Sequence, residues 1–235
     1  MKQINQFITE YIIKKKLDKP IDSENKYKYF PKTKDELINN IKELFDKGET
    51  DLNCIATNKI TNMAGLFFNV RNINFDVSEW DVSNVTNMTN MFYNCEKIDC
   101  DLSNWDVSKV TNMTNMFYGC SNFKGNGIEN WNVSNVEIFI GMFTYCSNMY
   151  DIDFSNWDMS NGKYLNSMFF ECKKFKGNGL ENWTVGKVKD MSRMFYNCTN
   201  FNCDLSNWDI SNVKNMSNMF YNCNSLKNKP NWYKG

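Results

Sequence analysis

The stretch "WDVSNVTNMTNMFYNC" at residues 80–95 returns almost unchanged as "WDVSKVTNMTNMFYGC" at residues 105–120. All seven tryptophans of the chain fall in this register, at spacings of 24 to 26 residues. A fixed period of this length is typical of proteins in which each unit packs only on its neighbours. One such unit cannot bury its own apolar side chains, so the sequence predicts a stack of units. The register is set by Trp80, Trp105, Trp131, Trp157, Trp183, Trp208 and Trp232.

Two patterns alternate within each unit. Met88, Met91, Phe92 and Cys95 lie at offsets 0, 3, 4 and 7, the spacing of one face of a short helix. The segment "DLSNWDVS" is short and β-compatible, which indicates a brief strand or extended segment in a parallel ladder. The predicted fold class is therefore an α/β repeat solenoid, in which short parallel strands or extended segments alternate with short helices.

Two of the joining segments carry a glycine-rich expansion. They read "FKGNGIENW" at residues 123–131 and "FKGNGLENW" at residues 175–183. Glycine adopts positive φ without steric cost, so we expect tight turns at these corners.

The unit W-D-V-S-x-V-T-N-M-x-x-M-F-x-x-C resembles the BspA-like leucine-rich-repeat family, also described as a mycoplasma-type repeat of unknown function. The resemblance covers residues 51–235. It implies a leucine-rich-repeat-like solenoid of the kind found on bacterial surface proteins linked to adhesion, sometimes encoded by viruses, and it implies no catalytic residues. The first residues, "MKQINQFITEYIIKKK", do not read as a secretory signal. We therefore expect a cytoplasmic or virion-associated protein rather than one at the cell surface.

Composition narrows the classes of function. The chain has 27 basic and 27 acidic side chains, so its net charge predicts neither a nucleic-acid partner nor attraction to an anionic membrane. No apolar run approaches the roughly 20 residues of a membrane helix. Histidine is absent, which removes the commonest general base and neutral metal ligand. The sequence predicts a protein that is not an enzyme and holds no cofactor.

The first fifty residues predict two helices that precede the repeats at residues 51–235. The second begins with a capping box formed by Thr33 and Glu36, ends at Gly48, and is predicted to cover the first unit. The first helix either docks on the repeats or forms an address that a partner reads. Its apolar face consists of Ile4, Phe7, Ile8, Tyr11 and Ile12.

Six of the nine cysteines occupy one position per unit beside Met and Phe. Free cysteine is among the most buried residue types, so we expect a column of buried thiols rather than metal ligands. The chain has no C-x-x-C pair, and its odd cysteine count indicates a reducing compartment. No metal site is predicted.

Polar residues flank each tryptophan. The asparagine before it is predicted to join a hydrogen-bonded ladder between units, or to face outward for recognition. The residue that follows each tryptophan is predicted to lie on an exposed, mildly acidic strip that serves as a binding surface. This acidic strip consists of Asp81, Asp106, Asn132, Asp158 and Asp209.

These observations predict a non-enzymatic protein–protein interaction module whose partner is a protein of unknown identity. The acidic strip or its opposite edge would be the contact surface. Two alternatives stay open: a cell-surface adhesin, and a structural component of a larger assembly docked through the first helix or the end of the repeats.

Overall fold

The computed structural model describes residues 26–234, and the predicted first helix lies outside them. The described residues contain one α-helix, α1, at Lys34–Asp46. They also contain two 3-10 helices, at Ile128–Asn130 and Leu180–Asn182. The rest of the described chain consists of turns and irregular segments, with isolated parallel bridges between units and no named strand. No helix within residues 26–234 has the length and apolar character needed to cross a membrane.

The prediction of an α/β repeat solenoid, with a short helix and a parallel strand in each unit, is therefore wrong. Residues 88–95 form two consecutive β-turns, in which Met91 N–H donates to Met88 O and Cys95 N–H donates to Phe92 O, at 3.1 and 2.9 Å. The third residues of these turns, Asn90 and Asn94, have φ of 56° and 55°. This left-handed conformation is required at the third position of a type II turn and cannot continue an α-helix.

We call each such double turn a turn pair. All fourteen third positions in the seven turn pairs have φ between 51° and 73°. Offsets 0, 3, 4 and 7 mark the first and last residues of two linked turns, and these are the buried positions. The seven turn pairs span residues 63–70, 88–95, 113–120, 139–146, 165–172, 191–198 and 216–223.

Backbone hydrogen bonds stack the turn pairs in parallel. The N–H groups of Asn90 and Asn94 do not close their own turns but donate to Thr114 O and Tyr118 O in the next unit, at 2.8 and 2.6 Å. Met88 and Phe92 donate to the next unit in the same way. N–H groups therefore alternate between their own turn and the neighbouring unit, so the backbone is satisfied without regular strands.

The core runs through the middle of the stack. Seven phenylalanines, one from each turn pair, form a continuous column with ring centroids 5.3–5.8 Å apart. Every tryptophan indole N–H donates to a carbonyl of the preceding unit at 2.8–3.0 Å. The tryptophans that set the sequence register thus also tie adjacent units together.

Helix α1 begins at the predicted capping box and packs on the first unit. Thr33 Oγ1 accepts a hydrogen bond from Glu36 N–H at 3.2 Å, and Gly48 follows the helix with φ of 79°. Leu37, Ile41, Leu44 and Phe45 are buried on the side that joins the core of the repeats. The apolar face of α1 therefore shields the first unit from water.

Candidate functional site

The predicted acidic strip is exposed, but its side chains also form hydrogen bonds that stabilise turns of the fold. Asp81, Asp106, Asn132, Asp158 and Asp209 are all exposed. In each one the side-chain Oδ1 accepts the backbone N–H of the serine two residues later, at 2.9–3.2 Å. Each residue thus closes an Asx-turn at a corner of its unit. That the strip binds a partner remains a prediction.

These turns favour the charged form of the carboxylates. The Ser108 hydroxyl and N–H lower the pKa of Asp106. The N–H and hydroxyl of Ser160 and of Ser211 lower the pKa of Asp158 and of Asp209 in the same way. Asp106, Asp158 and Asp209 therefore carry their charge at neutral pH, with part of their hydrogen-bonding capacity used within the fold.

The asparagines before the tryptophans do not form the predicted ladder. Asn104, Asn130, Asn156, Asn182 and Asn207 are exposed. In this column only Asn156 and Asn130 are linked among residues 26–234, at 3.4 Å. These asparagines therefore face outward, which is the second of the two predicted arrangements, and the ladder prediction is wrong.

The column of six thiols is buried, as predicted. Each Sγ lies 2.8–3.1 Å from a phenylalanine carbonyl of the preceding unit. Burial raises the pKa of all six thiols, Cys223 to about 12. Within residues 26–234, no three Cys, Asp or Glu side chains converge as metal ligands.

Cysteine reactivity tests this arrangement. Burial raises the pKa of Cys100 and Cys203 to about 12, so at pH 8 their thiolate fraction is about 1000-fold below that of an ordinary cysteine. We expect iodoacetamide to alkylate the native chain slowly, Cys54 first, at rates that rise about tenfold per pH unit. All nine cysteines should react in urea, whereas rapid labelling of Cys203 in the native chain would contradict its raised pKa.

Two grooves lie at the glycine-rich expansions. They have volumes of about 510 and 970 Å³ and are lined by residues of the segments 124–127 and 176–179. Gly127 and Gly179 have φ of 85° and 83°, as the sequence predicts for corner turns. Their Cα atoms lie directly over the Asx-turns of Asp101 and Asp153 in the preceding units. The glycines at these corners therefore allow the backbone of one unit to stack closely on the backbone of the preceding unit.

The outer surface of the turn pairs carries a column of aromatic rings that sequence reasoning missed. Phe68, Tyr93 and Tyr118 stack with centroids 4.7 and 4.5 Å apart. Phe170, Tyr196 and Tyr221 stack in the same way at 4.8 and 4.6 Å. An aromatic residue after Met-Phe in most units is the signal that could have revealed this column.

Tyr145 joins the two stacks. Thr144 takes the aromatic position in this unit; it is only 4% exposed and its hydroxyl donates to Ser167 O at 2.7 Å. Tyr145 therefore reaches over from the next position and meets Tyr118 and Phe170 edge-to-face, at 5.5 and 5.6 Å. The column is thus continuous over seven rings, with a change of geometry at its midpoint.

We call the outer surface of the seven turn pairs the ladder face. Of its 28 residues, only Glu171 and Arg193 are charged, whereas 23% of the whole chain is charged. The ladder face therefore combines aromatic rings with an uncharged surround of amides and hydroxyls. It consists of residues 64–65, 68–69, 89–90, 93–94, 114–115, 118–119, 140–141, 144–145, 166–167, 170–171, 192–193, 196–197, 217–218 and 221–222.

Comparison with known proteins places this chain in a family. The model of the family described as "Mycoplasma protein of unknown function, DUF285" matches residues 37–152 and 119–233, and the chain belongs to this family. A search of the curated proteins gave no match. Among solved structures, "Crystal structure of TLR13-ssRNA13 complex" is similar at 10% identity and a TM-score of 0.21, over 75% of this chain and 42% of that one. A TM-score this low does not establish a common fold.

Proposed function

We propose that this member of the DUF285 family is a non-enzymatic protein-interaction module whose contact surface is the ladder face. The observation that carries the proposal is the near absence of charge from a surface with one aromatic ring per unit. Depletion of charge and enrichment of tyrosine distinguish the centre of a protein interface from the rest of a protein's surface.

The exposure of the rings supports the same function. Tyr145 and Tyr221 are 44% and 54% exposed, although most aromatic residues of this chain are buried in the core. Tyrosine offers a rigid apolar body and a polar hydroxyl, and it is common among the residues that dominate binding energy. The other five rings of the column are partly exposed, so an aromatic stripe runs along the whole ladder face.

The non-enzymatic part of the proposal is supported by the side chains that the chain offers. It has no histidine, and burial holds the thiols protonated, so the usual general base and thiolate nucleophile are both missing.

The alternatives predicted from the sequence are the acidic strip as the contact surface, a cell-surface adhesin and a component of a larger assembly. The acidic strip is the weaker contact surface, because its oxygens close turns. The resemblance to the BspA-like leucine-rich-repeat family makes a cell-surface adhesin the second candidate, which would use the same face. Docking into a larger assembly through the end of the repeats is the third candidate.

Affinity capture from the native source tests the choice of surface. The wild-type chain is compared with Tyr93→Glu plus Tyr196→Glu on the ladder face, and with Asp106→Asn plus Asp158→Asn, which preserves the Asx-turns. We expect the ladder-face variant to recover its partner roughly tenfold less well, and the strip variant to bind normally. Loss of capture in the strip variant alone would move the site to the acidic strip.

Membrane-permeant and membrane-impermeant cross-linkers separate the two locations. Cross-links formed by the permeant reagent alone would support an internal module, and labelling of intact cells by the impermeant reagent would support the adhesin. Native-like unfolding curves for both variants are needed to exclude misfolding as the cause of lost capture.

A further inference from the structure

We infer that the ladder face pairs with the ladder face of a second copy of this chain, about a two-fold axis that passes near Tyr145. This inference rests on the proposed function, because it assigns a partner to the same surface. It follows from the period of the rings, their arrangement about the midpoint, the position of the two charges and the size of the face.

The period selects the kind of partner. The rings recur once per stacked unit over seven units, a length of about 30 Å at the spacing of hydrogen-bonded backbones. A partner that contacts every ring needs apolar groups with the same repeat over the same length. The ladder face of a second copy has the same repeat, because the same residues form it.

The arrangement of the rings fits two-fold symmetry. Three stacked rings precede Tyr145 and three follow it, and Tyr145 lies in the fourth of the seven turn pairs. In a symmetric dimer, one patch on each subunit meets its own copy. With the axis at the fourth turn pair, the second turn pair faces the sixth, so Tyr93 meets Tyr196 of the partner subunit. Every ring then faces a ring.

The two charges of the ladder face are compatible with this register. Glu171, in the fifth turn pair, would face the third, which contributes Asn115 and Gly119. Arg193, in the sixth, would face the uncharged second turn pair. A two-fold axis at the fifth or sixth turn pair would instead bring two Glu171 or two Arg193 side chains together, and like charges that meet in an interface weaken association. The central register avoids both repulsions.

The size of the face is sufficient. All of its 28 residues except the buried Gly141 and Thr144 are at least partly exposed on each copy, and a stable interface of standard size uses about 20–30 residues a side. Charged side chains are also depleted at the centre of protein interfaces, and the ladder face has only two of them.

A charge-complementation experiment tests the pairing and its register. The full-length wild-type chain is studied by sedimentation equilibrium from roughly 1 to 100 μM, together with Tyr93→Lys plus Tyr196→Lys and Tyr93→Glu plus Tyr196→Glu. We expect a wild-type dimer, and dimerisation at least about tenfold weaker in each variant alone, because the proposed register opposes like charges. An equimolar mixture of the two variants should form mixed dimers by native mass spectrometry. A charge change outside the face, Lys97→Glu plus Asn207→Lys, should leave the dimer intact.

The outcomes separate this inference from the proposed function. A wild-type chain that is monomeric at every concentration from roughly 1 to 100 μM overturns the dimer. This holds whether residues 1–25 or another protein covers the ladder face instead. The proposed function would still stand if the ladder-face variant lost its captured partner. Dimers that persist in both charged variants would overturn the choice of face. Two folded monomeric variants that fail to form mixed dimers would overturn the register. Because Tyr93 is half-buried, Tyr93→Ala plus Tyr196→Ala serves as a second pair of substitutions if the charged variants unfold.

Discussion

Replacing Trp131 by alanine is expected to lower the free energy of unfolding by about 3–5 kcal/mol. The indole is 2% exposed and stacks on Trp105 with ring centroids 6.2 Å apart. Its N–H donates to Leu102 O at 3.0 Å. The substitution therefore leaves a cavity and removes a hydrogen bond that joins two units. A urea titration followed by the fluorescence of the remaining tryptophans measures the loss.

Trp232→Ala is the matched control for this prediction. Trp232 makes the equivalent hydrogen bond to Leu205 O, also at 3.0 Å, and stacks on Trp208. It lies at the last unit and is partly exposed. Less apolar surface is lost there, so we expect less than about half the effect of Trp131→Ala. Equal losses at the two positions would show that the hydrogen bond, rather than burial, dominates the contribution of these tryptophans.

Replacing Gly127 by alanine is expected to destabilise the chain by about 2–5 kcal/mol. Gly127 has φ of 85°, a conformation that residues with a Cβ adopt at a cost. An added Cβ would lie 2.2 Å from Ser103 N and 2.4 Å from Asp101 Oδ1. These atoms form the Asx-turn of the preceding unit, so the clash must displace backbone. Calorimetric unfolding measures the effect.

Gly65→Ala separates the two costs of that substitution. Gly65 has φ of 64°, but an added Cβ would meet no atom within 4 Å. We therefore expect a loss of only about 1–2 kcal/mol, the cost of the left-handed conformation alone. If Gly127→Ala cost no more than Gly65→Ala, close stacking of the units at the glycine-rich corner would not contribute to stability.

The repeat register and the buried positions could be predicted from the sequence alone. Trp131, Met116, Phe117 and Cys120 are buried because a period of 24 to 26 residues places identical apolar side chains over one another. The capping box of α1 was also readable, because Thr33, Glu36 and Gly48 act through local hydrogen bonds and backbone conformation. The acidic strip was correctly predicted to be exposed, since stacked carboxylates are costly to desolvate.

The choice between helix and double turn was decided only by the tertiary structure. Apolar residues at offsets 0, 3, 4 and 7 fit both a helix and a double turn. Within residues 88–95, only Asn90 and Asn94 favour the left-handed third position of a turn. Glu171 and Arg193 occupy the same positions with φ of 60° and 53°, against their intrinsic preference. Hydrogen bonds from neighbouring units hold them there, because their N–H groups donate to Tyr196 O and Ser217 O. The ladder face arises from the same stacking: only when the units lie in register do single tyrosines, distant in sequence, become one continuous surface.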